Sequence, residues 1–330
     1  MISQRGHTTA CITRHGFNLG ARQVPNAIYR RLVVVALEIF LASLPSHILM
    51  TGSETRTLRQ LDRYLLFGAR QIDGWLHPDT AEFIAAISDV QHRAGYHGAV
   101  GEIGVHHGKL FILLRLAADP DEQAFVIDVF DDQALNVDGS GHGDQKILQD
   151  NLIRWCGSTA GVSILAKSSL IVTPADILSS CGKVRLASID GGHTAECAYS
   201  DLKLIDAVMH DYGVIALDDY FNEDWPGVST GTTRYLLDSG TRFRPIAIAP
   251  NKLFLATDEF KDFYRAKLAS ETPFKAAHSS EMFSRKVDVF HGAHVAPPLG
   301  TFVRQTLRAS AIGPYLLAAK GLFNQRFGRG

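Results

Sequence analysis

Three aspartates directly follow short apolar runs of the chain and could share one site. Asp190 follows Val184–Ile189, and Asp218 and Asp219 follow Val214–Leu217. In a doubly wound sheet the carboxyl ends of the strands line one crevice, so these carboxylates converge if both runs are strands. Crowded carboxylates repel one another unless a cation is bound, and oxygen ligands suit Mg²⁺. We therefore predict a site for Mg²⁺ or a similar divalent cation, where a substrate hydroxyl would be oriented and acidified. The alternative is that one or two of these side chains only cap the following helix.

His193 lies three residues beyond Asp190, after two glycines. An imidazole with a pKa near neutrality can accept the proton of a substrate hydroxyl, an effect worth roughly 10²–10⁴ in rate. His193 is therefore the predicted general base. The alternative is a histidine at a helix start that only bonds the backbone.

A glycine-containing turn, Glu102-Ile-Gly-Val-His-His-Gly, lies between an apolar run and an amphipathic one. Gly104 and Gly108 let the backbone pass close to a ligand, and N–H groups at a helix start face that ligand. The spacing is not Gly-x-Gly-x-x-Gly, which would favour a dinucleotide pyrophosphate. An acid beside the glycines suits a cofactor that lacks phosphate and carries a cationic amino-acid end. These properties predict S-adenosylmethionine, bound by Glu102, Gly104 and Gly108.

Two further positions fit an adenosine-containing cofactor. Asp128 ends the next apolar run, about twenty residues after the glycine turn, where a carboxylate can bind both ribose hydroxyls; Asp131 and Asp132 are alternatives. Ser168, with Ser169 as the alternative, follows the third apolar run, where the adenine would lie.

The segments that must position these residues alternate regularly from Gly98 onward. Short apolar runs predict strands and amphipathic runs predict helices, and their alternation indicates a parallel sheet with right-handed crossovers. Residues 54–93 are predicted to be helical, with a start signal at His77–Thr80. The predicted strands are Ala99–Ile103, Ala124–Asp128, Val162–Ala166, Val184–Ile189 and Val214–Leu217, followed by a hairpin of Pro245–Ala249 and Leu253–Thr257. The predicted helices between them are Lys109–Ala118, Gln145–Trp155, Pro174–Cys181, Ala195–His210 and Gly231–Asp238.

Three motifs resemble the class I S-adenosylmethionine-dependent methyltransferases, in particular the macrocin-type sugar O-methyltransferases. They are Glu102–Lys109, Ile189–Glu196 and Leu217–Tyr220. The resemblance implies a doubly wound, seven-stranded, mostly parallel α/β sheet with a C-terminal antiparallel hairpin. It also implies that Asp190, Asp218 and Asp219 are the metal ligands, a layout shared with catechol-type O-methyltransferases. The sugar enzymes often carry a second aspartate two residues beyond the first ligand, whereas this chain has Gly192. Either His193 takes over as base, or catalysis relies on the metal and on proximity.

The resemblance spans about residues 75–258. We therefore expect an N-terminal extension over residues 1–74, a catalytic domain over 75–258 and a C-terminal extension over 259–330. Tyr220, Phe221 and Trp225 follow the fifth strand. They could form a wall for a sugar-like ligand or fill the space beneath the hairpin.

Composition restricts the partners of the protein. A net charge of -1 gives no reason to expect nucleic-acid binding, and a small-molecule or glycan acceptor is expected instead. The four cysteines have no C-x-x-C spacing, which fits reduced thiols and a cytoplasmic location. Both ends are basic and could contact a membrane peripherally or a second copy of the chain. Leu32–Met50 is too interrupted by polar residues to span a bilayer.

Two other functions remain open at this level. One is a nicotinamide-dependent oxidoreductase on a similar sheet, against which the glycine spacing and the terminal hairpin argue. The other is a non-catalytic scaffold that keeps the fold. The glycine at position 192, where the sugar enzymes often have an aspartate, gives this alternative some support.

Overall fold

The computed structural model describes residues 60–290, so the expectations for Leu32–Met50 and for the basic ends lie outside the described residues. The strands are β1 (Ala99–Ile103), β2 (Ala124–Asp128), β3 (Val162–Ala166), β4 (Val184–Ile189), β5 (Met209–Asp218), β6 (Phe243–Ala249), β7 (Lys252–Thr257), β8 (His278–Met282) and β9 (Arg285–Val289). The helices are α1 (Pro78–Arg93), α2 (Lys109–Ala117), α3 (Gln145–Cys156), α4 (Pro174–Cys181), α5 (Ala195–Val208), α6 (Pro226–Leu237) and α7 (Lys261–Glu271).

The described strands form one sheet in the order β3-β2-β1-β4-β5-β7-β6-β9-β8. The first five strands are parallel, and β7 pairs antiparallel with both β5 and β6. The predicted doubly wound sheet with its hairpin is confirmed. The strand count is wrong, because β9 adds to β6 and β8 adds to β9, giving nine strands rather than seven. All five residues of β1 and all six of β4 are buried, because helices cover both faces of a parallel sheet.

Two hydrophobic clusters hold the layers together. The cluster on one face joins the sheet to α1, α2, α3 and α7, and includes Phe83, Phe111, Leu148 and Tyr264. The cluster on the other face joins the sheet to α4, α5 and α6. No helix within residues 60–290 is long and apolar enough to cross a bilayer.

The helix boundaries differ from the predictions where polar or glycine residues intervene. The predicted helix over 54–93 is interrupted between a short 3-10 turn ending at Gln71 and Pro78, near Gly74 with its positive φ of 124°. His77 caps α1, because its Nδ1 accepts a hydrogen bond from the Asp79 N–H at 3.3 Å. Helix α6 begins at Pro226, five residues before the predicted Gly231, because proline is well suited to the first helical turn.

Strand register aligns the ends of the central strands. Ile103 of β1 pairs with Ile189 of β4, and Ile189 pairs with Leu217 of β5. Asp190, which follows β4, and Asp218, the last residue of β5, therefore lie side by side at one edge of the sheet. The site is built at that edge.

Candidate active site

The glycine turn after β1 contacts the turn after β4. Gly104 has a φ of 79°, and a Cβ at this position would lie 1.7 Å from the carbonyl oxygen of Asp190. Only glycine allows that approach. Gly104 therefore holds the cofactor-side turn and the carboxylate-side turn together, and it also lines the cavity between them.

Glu102 and Gly108 lie at the two ends of the glycine turn, and neither is among the residues that line the cavity. Glu102 is 3 % exposed, and its Oε2 has no hydrogen-bond partner. Burial raises the pKa of Glu102 well above its usual range, although Lys252 opposes the rise. Gly108 precedes α2 with a φ of 86°, and a Cβ there would lie 2.6 Å from Leu148. The cofactor contacts assigned to these two residues stay predictions.

Asp128 projects into the cavity from the end of β2. Its Oδ2 accepts a hydrogen bond from the His106 N–H and its Oδ1 from the Phe130 N–H, each at 2.8 Å. Each carboxylate oxygen can accept a further bond. Gly143 faces Oδ1, where a Cβ would lie 2.8 Å away. Asp131 and Asp132 are exposed and do not line the cavity.

Both predicted adenine-side serines line the same cavity. The Ser168 hydroxyl also caps a short 3-10 turn by accepting the N–H of Leu170 at 3.4 Å. The cavity has a volume of about 580 Å³ and extends from these serines past Asp128 and Gly104 to the carboxylates after β4 and β5. This size is typical of small-molecule and cofactor sites. The residues present therefore fit an adenosine-containing cofactor.

The three predicted metal ligands converge at the other end of the cavity. Asp218 is already engaged: its Oδ2 is 2.7 Å from Nζ of Lys252, and its Oδ1 accepts a bond from Nδ2 of Asn251 at 2.6 Å. Sheet register explains the ion pair, since Asp218 of β5 stands directly opposite Lys252 of β7. Asp219 has a φ of 58°, and its Oδ1 accepts bonds from Asn222 and Asn251.

The pKa values of Asp190 and Asp219 are shifted in opposite directions. Burial and the Asp218 carboxylate raise the pKa of Asp190 well above its usual range, against the effect of Lys252. Burial alone would raise the pKa of Asp219, but side-chain hydrogen bonds, foremost that from His193, lower it to about 2. Burial opposes the charge of Lys252, yet the carboxylates around it raise its pKa above the usual value.

His193 lies between two carboxylates. Its Nδ1 is 2.8 Å from Oδ2 of Asp138, and its Nε2 is 3.3 Å from Oδ2 of Asp219 and 4.0 Å from Oδ1 of Asp190. Burial would lower the pKa of His193, but the bonds to Asp219 and Asp138 raise it to about 9. This direction favours the protonated ring, and a protonated His193 must lose the Nε2 proton before it can act as a base. Its role as general base stays a prediction.

The residues of the site can hold a divalent cation, but with a set of ligands that differs from the three predicted aspartates. Asp190, His193 and Asp219 offer one ligand atom each, and these atoms lie within 4.8 Å of one another. Two carboxylates and an imidazole suit several divalent metals, and the two carboxylates alone suit Mg²⁺. Asp218, in contrast, is held by Lys252 and Asn251. The residues present thus fit a cation at Asp190 and Asp219, and the three-aspartate set stays a prediction.

The aromatic residues after β5 have separate positions. Trp225 lines the cavity and stacks on the His193 ring, with ring centroids 4.1 Å apart and planes 19° apart. Tyr220 packs against the core cluster on that face, and Phe221 is 57 % exposed. Trp225 therefore belongs both to the site and to the packing beneath it, whereas Tyr220 belongs to the packing alone.

Lys252, Asn251 and Asp138 were not predicted from the sequence. Lys252 is 2 % exposed within a strand of otherwise apolar and small residues, and a lysine inside such a strand could have marked it, because buried charges need partners. Asn251 has a φ of 63° in the β6–β7 turn, a conformation typical of asparagine there. Asp138 lies in a polar loop after β2 and carries no comparable signal.

Comparison with known proteins supports a methyltransferase. Residues 102–220 match the family model described as a methyltransferase domain, about a third of the chain. None of the curated proteins matches the chain significantly in sequence. Residues 102–220 contain the glycine turn, Asp128, both serines, His193 and the carboxylate cluster, so the matched segment holds every predicted site residue.

Among the solved structures that resemble this chain are methyltransferases of low sequence identity. The O-methyltransferase NovP is 18% identical, with 54% of this chain and 79% of that chain covered and a TM-score of 0.47. The calicheamicin methyltransferase CalS11 is 14% identical, with coverages of 65% and 97% and a TM-score of 0.41. An O-methyltransferase from Bacillus cereus is 13% identical, with coverages of 64% and 94% and a TM-score of 0.42. Similarity at this level gives no information about the substrate of this chain.

Proposed function

We propose that the protein transfers the methyl group of S-adenosylmethionine to a hydroxyl of a sugar or a glycosylated small molecule, with a divalent cation at the carboxylate cluster. The proposal proceeds from the methyltransferase domain at residues 102–220. The observation that carries it is one continuous cavity with Asp128 on one side and Asp190 and Asp219 on the other. The cofactor, held by its ribose, and the hydroxyl oxygen that accepts the methyl group, held at the carboxylate cluster, would then face each other.

The residues of the chain have distinct roles in this proposal. Asp128 accepts the ribose hydroxyls, and Ser168 or Ser169 contacts the adenine. Asp190 and Asp219 hold the cation, which supplies positive charge that acidifies and orients the acceptor hydroxyl. Lys252 neutralises Asp218 and so reduces the repulsion among the carboxylates. His193 accepts the acceptor proton at Nε2. Holding both reactants in line can account for roughly 7–11 kcal/mol of the barrier.

The mouth of the cavity favours a glycosylated acceptor over a free sugar. Three apolar side chains line the cavity and remain open to solvent: Trp75 is 77 % exposed, Val137 54 % and Leu135 40 %. A free sugar offers little apolar surface to such a rim, whereas an aglycone can cover it. The polar floor and apolar rim together fit an amphiphilic acceptor.

Calorimetric titration tests the proposal first. We expect saturable binding of S-adenosylmethionine to the full chain, with NADH as the negative control, and weaker binding to Asp128→Asn. An acceptor screen with Mg²⁺ then compares free sugars with aryl and alkyl glycosides, each with and without chelator. Binding of NADH in place of S-adenosylmethionine would favour an oxidoreductase and refute the proposal. Full transfer in the presence of chelator would refute the role of the cation.

A further inference from the structure

The His193 ring is held on the side that faces away from the carboxylate cluster. Asp138 Oδ2 accepts bonds from the backbone N–H of His193 at 2.6 Å and from its Nδ1 at 2.8 Å. Ser140 Oγ lies 3.1 Å from the same Nδ1, and Trp225 stacks on the ring face. With Nδ1 bonded in this way, Nε2 faces Asp219 and Asp190.

Asp138 is itself fixed by the loop after β2. Its Oδ1 accepts bonds from the Ser140 hydroxyl at 2.6 Å and the Ser140 N–H at 2.9 Å. Asn136 closes the loop, because its Nδ2 donates to the Ser140 carbonyl at 2.7 Å and its Oδ1 accepts the Gly139 N–H at 3.1 Å. Both oxygens of the Asp138 carboxylate therefore accept hydrogen bonds, Oδ1 from Ser140 and Oδ2 from His193.

Gly192 makes room for this loop. A Cβ at Gly192 would lie 2.9 Å from Cγ2 of Val137 and 2.9 Å from Sγ of Cys197. A side chain at position 192 would therefore have to push aside the side chains of Val137 and Cys197. The glycine at position 192 therefore leaves room for Val137, the residue next to Asp138.

We propose that Asp138 is the positioning residue of His193, fixing its ring orientation and its Nδ1–H tautomer so that Nε2 serves the methyl-acceptor site. The proposal rests on the proposed methyl transfer. Asp138 takes part through the imidazole only. An orienting carboxylate of this kind keeps a base aligned with the reacting hydroxyl.

Nitrogen NMR of the full chain labelled with ¹⁵N-histidine tests the hydrogen bond without an acceptor. We expect a downfield Nδ1–H proton that His193→Gln removes. Asp138→Asn should abolish or strongly shift this signal. The NH₂ group of the asparagine would face an N–H donor whichever oxygen it replaced, that of Ser140 at Oδ1 or those of His193 at Oδ2. Asp150→Asn, a change at an exposed aspartate on α3, should leave it in place. An Nδ1–H signal unaffected by Asp138→Asn, or none that can be assigned to His193, would overturn the proposal.

Steady-state kinetics with an acceptor found in the screen tests the consequence. We expect Asp138→Asn to lower kcat roughly 10²-fold, while the acceptor KM and the cofactor Kd change by no more than about threefold. Ser140→Ala should lower kcat less, and Asp150→Asn should not change it. Unchanged kcat in Asp138→Asn refutes the positioning role. If the wild-type chain binds no S-adenosylmethionine, the proposed function fails, and the NMR signal alone then decides whether Asp138 fixes the ring.

Discussion

Replacing Glu122 by glutamine should destabilise the fold without touching the site. Glu122 pairs with Arg185, a fully buried arginine at the start of β4. Nε of Arg185 donates to Oε1 of Glu122 at 2.6 Å and Nη2 to Oε2 at 2.7 Å. The remaining donors reach Ser88, Gln91 and His92. All five N–H groups of the guanidinium therefore have partners.

The magnitude follows from leaving this charge unpaired. Removing one partner of a buried ion pair costs about 3–5 kcal/mol. In a domain of this size 1 kcal/mol corresponds to about 2–4 °C in Tm, so the expected decrease is about 6–20 °C. Urea unfolding followed by circular dichroism measures the free energy of unfolding directly. The matched control is Glu196→Gln, whose pair with Arg234 is exposed (67% and 59%) and which should change stability by less than about 1 kcal/mol.

The same pair gives a pH dependence with a defined sign. Burial opposes the charge of Glu122, but the hydrogen bonds and the charge of Arg185 hold its pKa well below the usual range. A carboxyl with a lowered folded pKa stabilises the fold above its unfolded pKa, about 4.3, and loses that contribution as pH falls through the folded value. The difference between wild type and Glu122→Gln should therefore narrow below about pH 4.3. Equal urea midpoints for Glu122→Gln and Glu196→Gln at pH 7 would refute the reasoning.

Three further predictions concern the site itself. Gly104→Ala should abolish binding of S-adenosylhomocysteine, because its Cβ meets the Asp190 carbonyl, whereas Gly157→Ala, also at a positive φ but with open space and away from the cavity, should bind normally; equal calorimetric affinities would contradict this. Asp128→Asn should weaken binding by about 1.5–3 kcal/mol, the worth of hydrogen bonds to a charged group; an unchanged Kd would exclude the ribose role. Lys252→Met should lower stability and leave transfer more dependent on Mg²⁺, measured as the metal concentration for half-maximal rate; an unchanged metal dependence would argue against charge compensation by Lys252.

The order of the central strands and helices could be predicted because each of them has its own local pattern of apolar and polar residues. Apolar runs of five or six residues mark β1 to β4, and the residues after β1, β2, β4 and β5 then meet at one edge of the sheet. Strands β8 and β9 could not be found in this way. The residues of β8 are mostly exposed, so they carry no apolar pattern.

The sequence by itself determined which residues gather at one edge of the sheet, because all of them lie at or directly after the ends of strands: Gly104, Asp128, Asp190, Asp218 and Asp219. Only the tertiary structure decided how their charges are balanced. Lys252 meets Asp218 through the antiparallel register of β7 against β5, and Asp138 reaches His193 across 55 positions of the chain. Such pairings depend on register and on loop closure over long separations, and local residue patterns do not encode either of them.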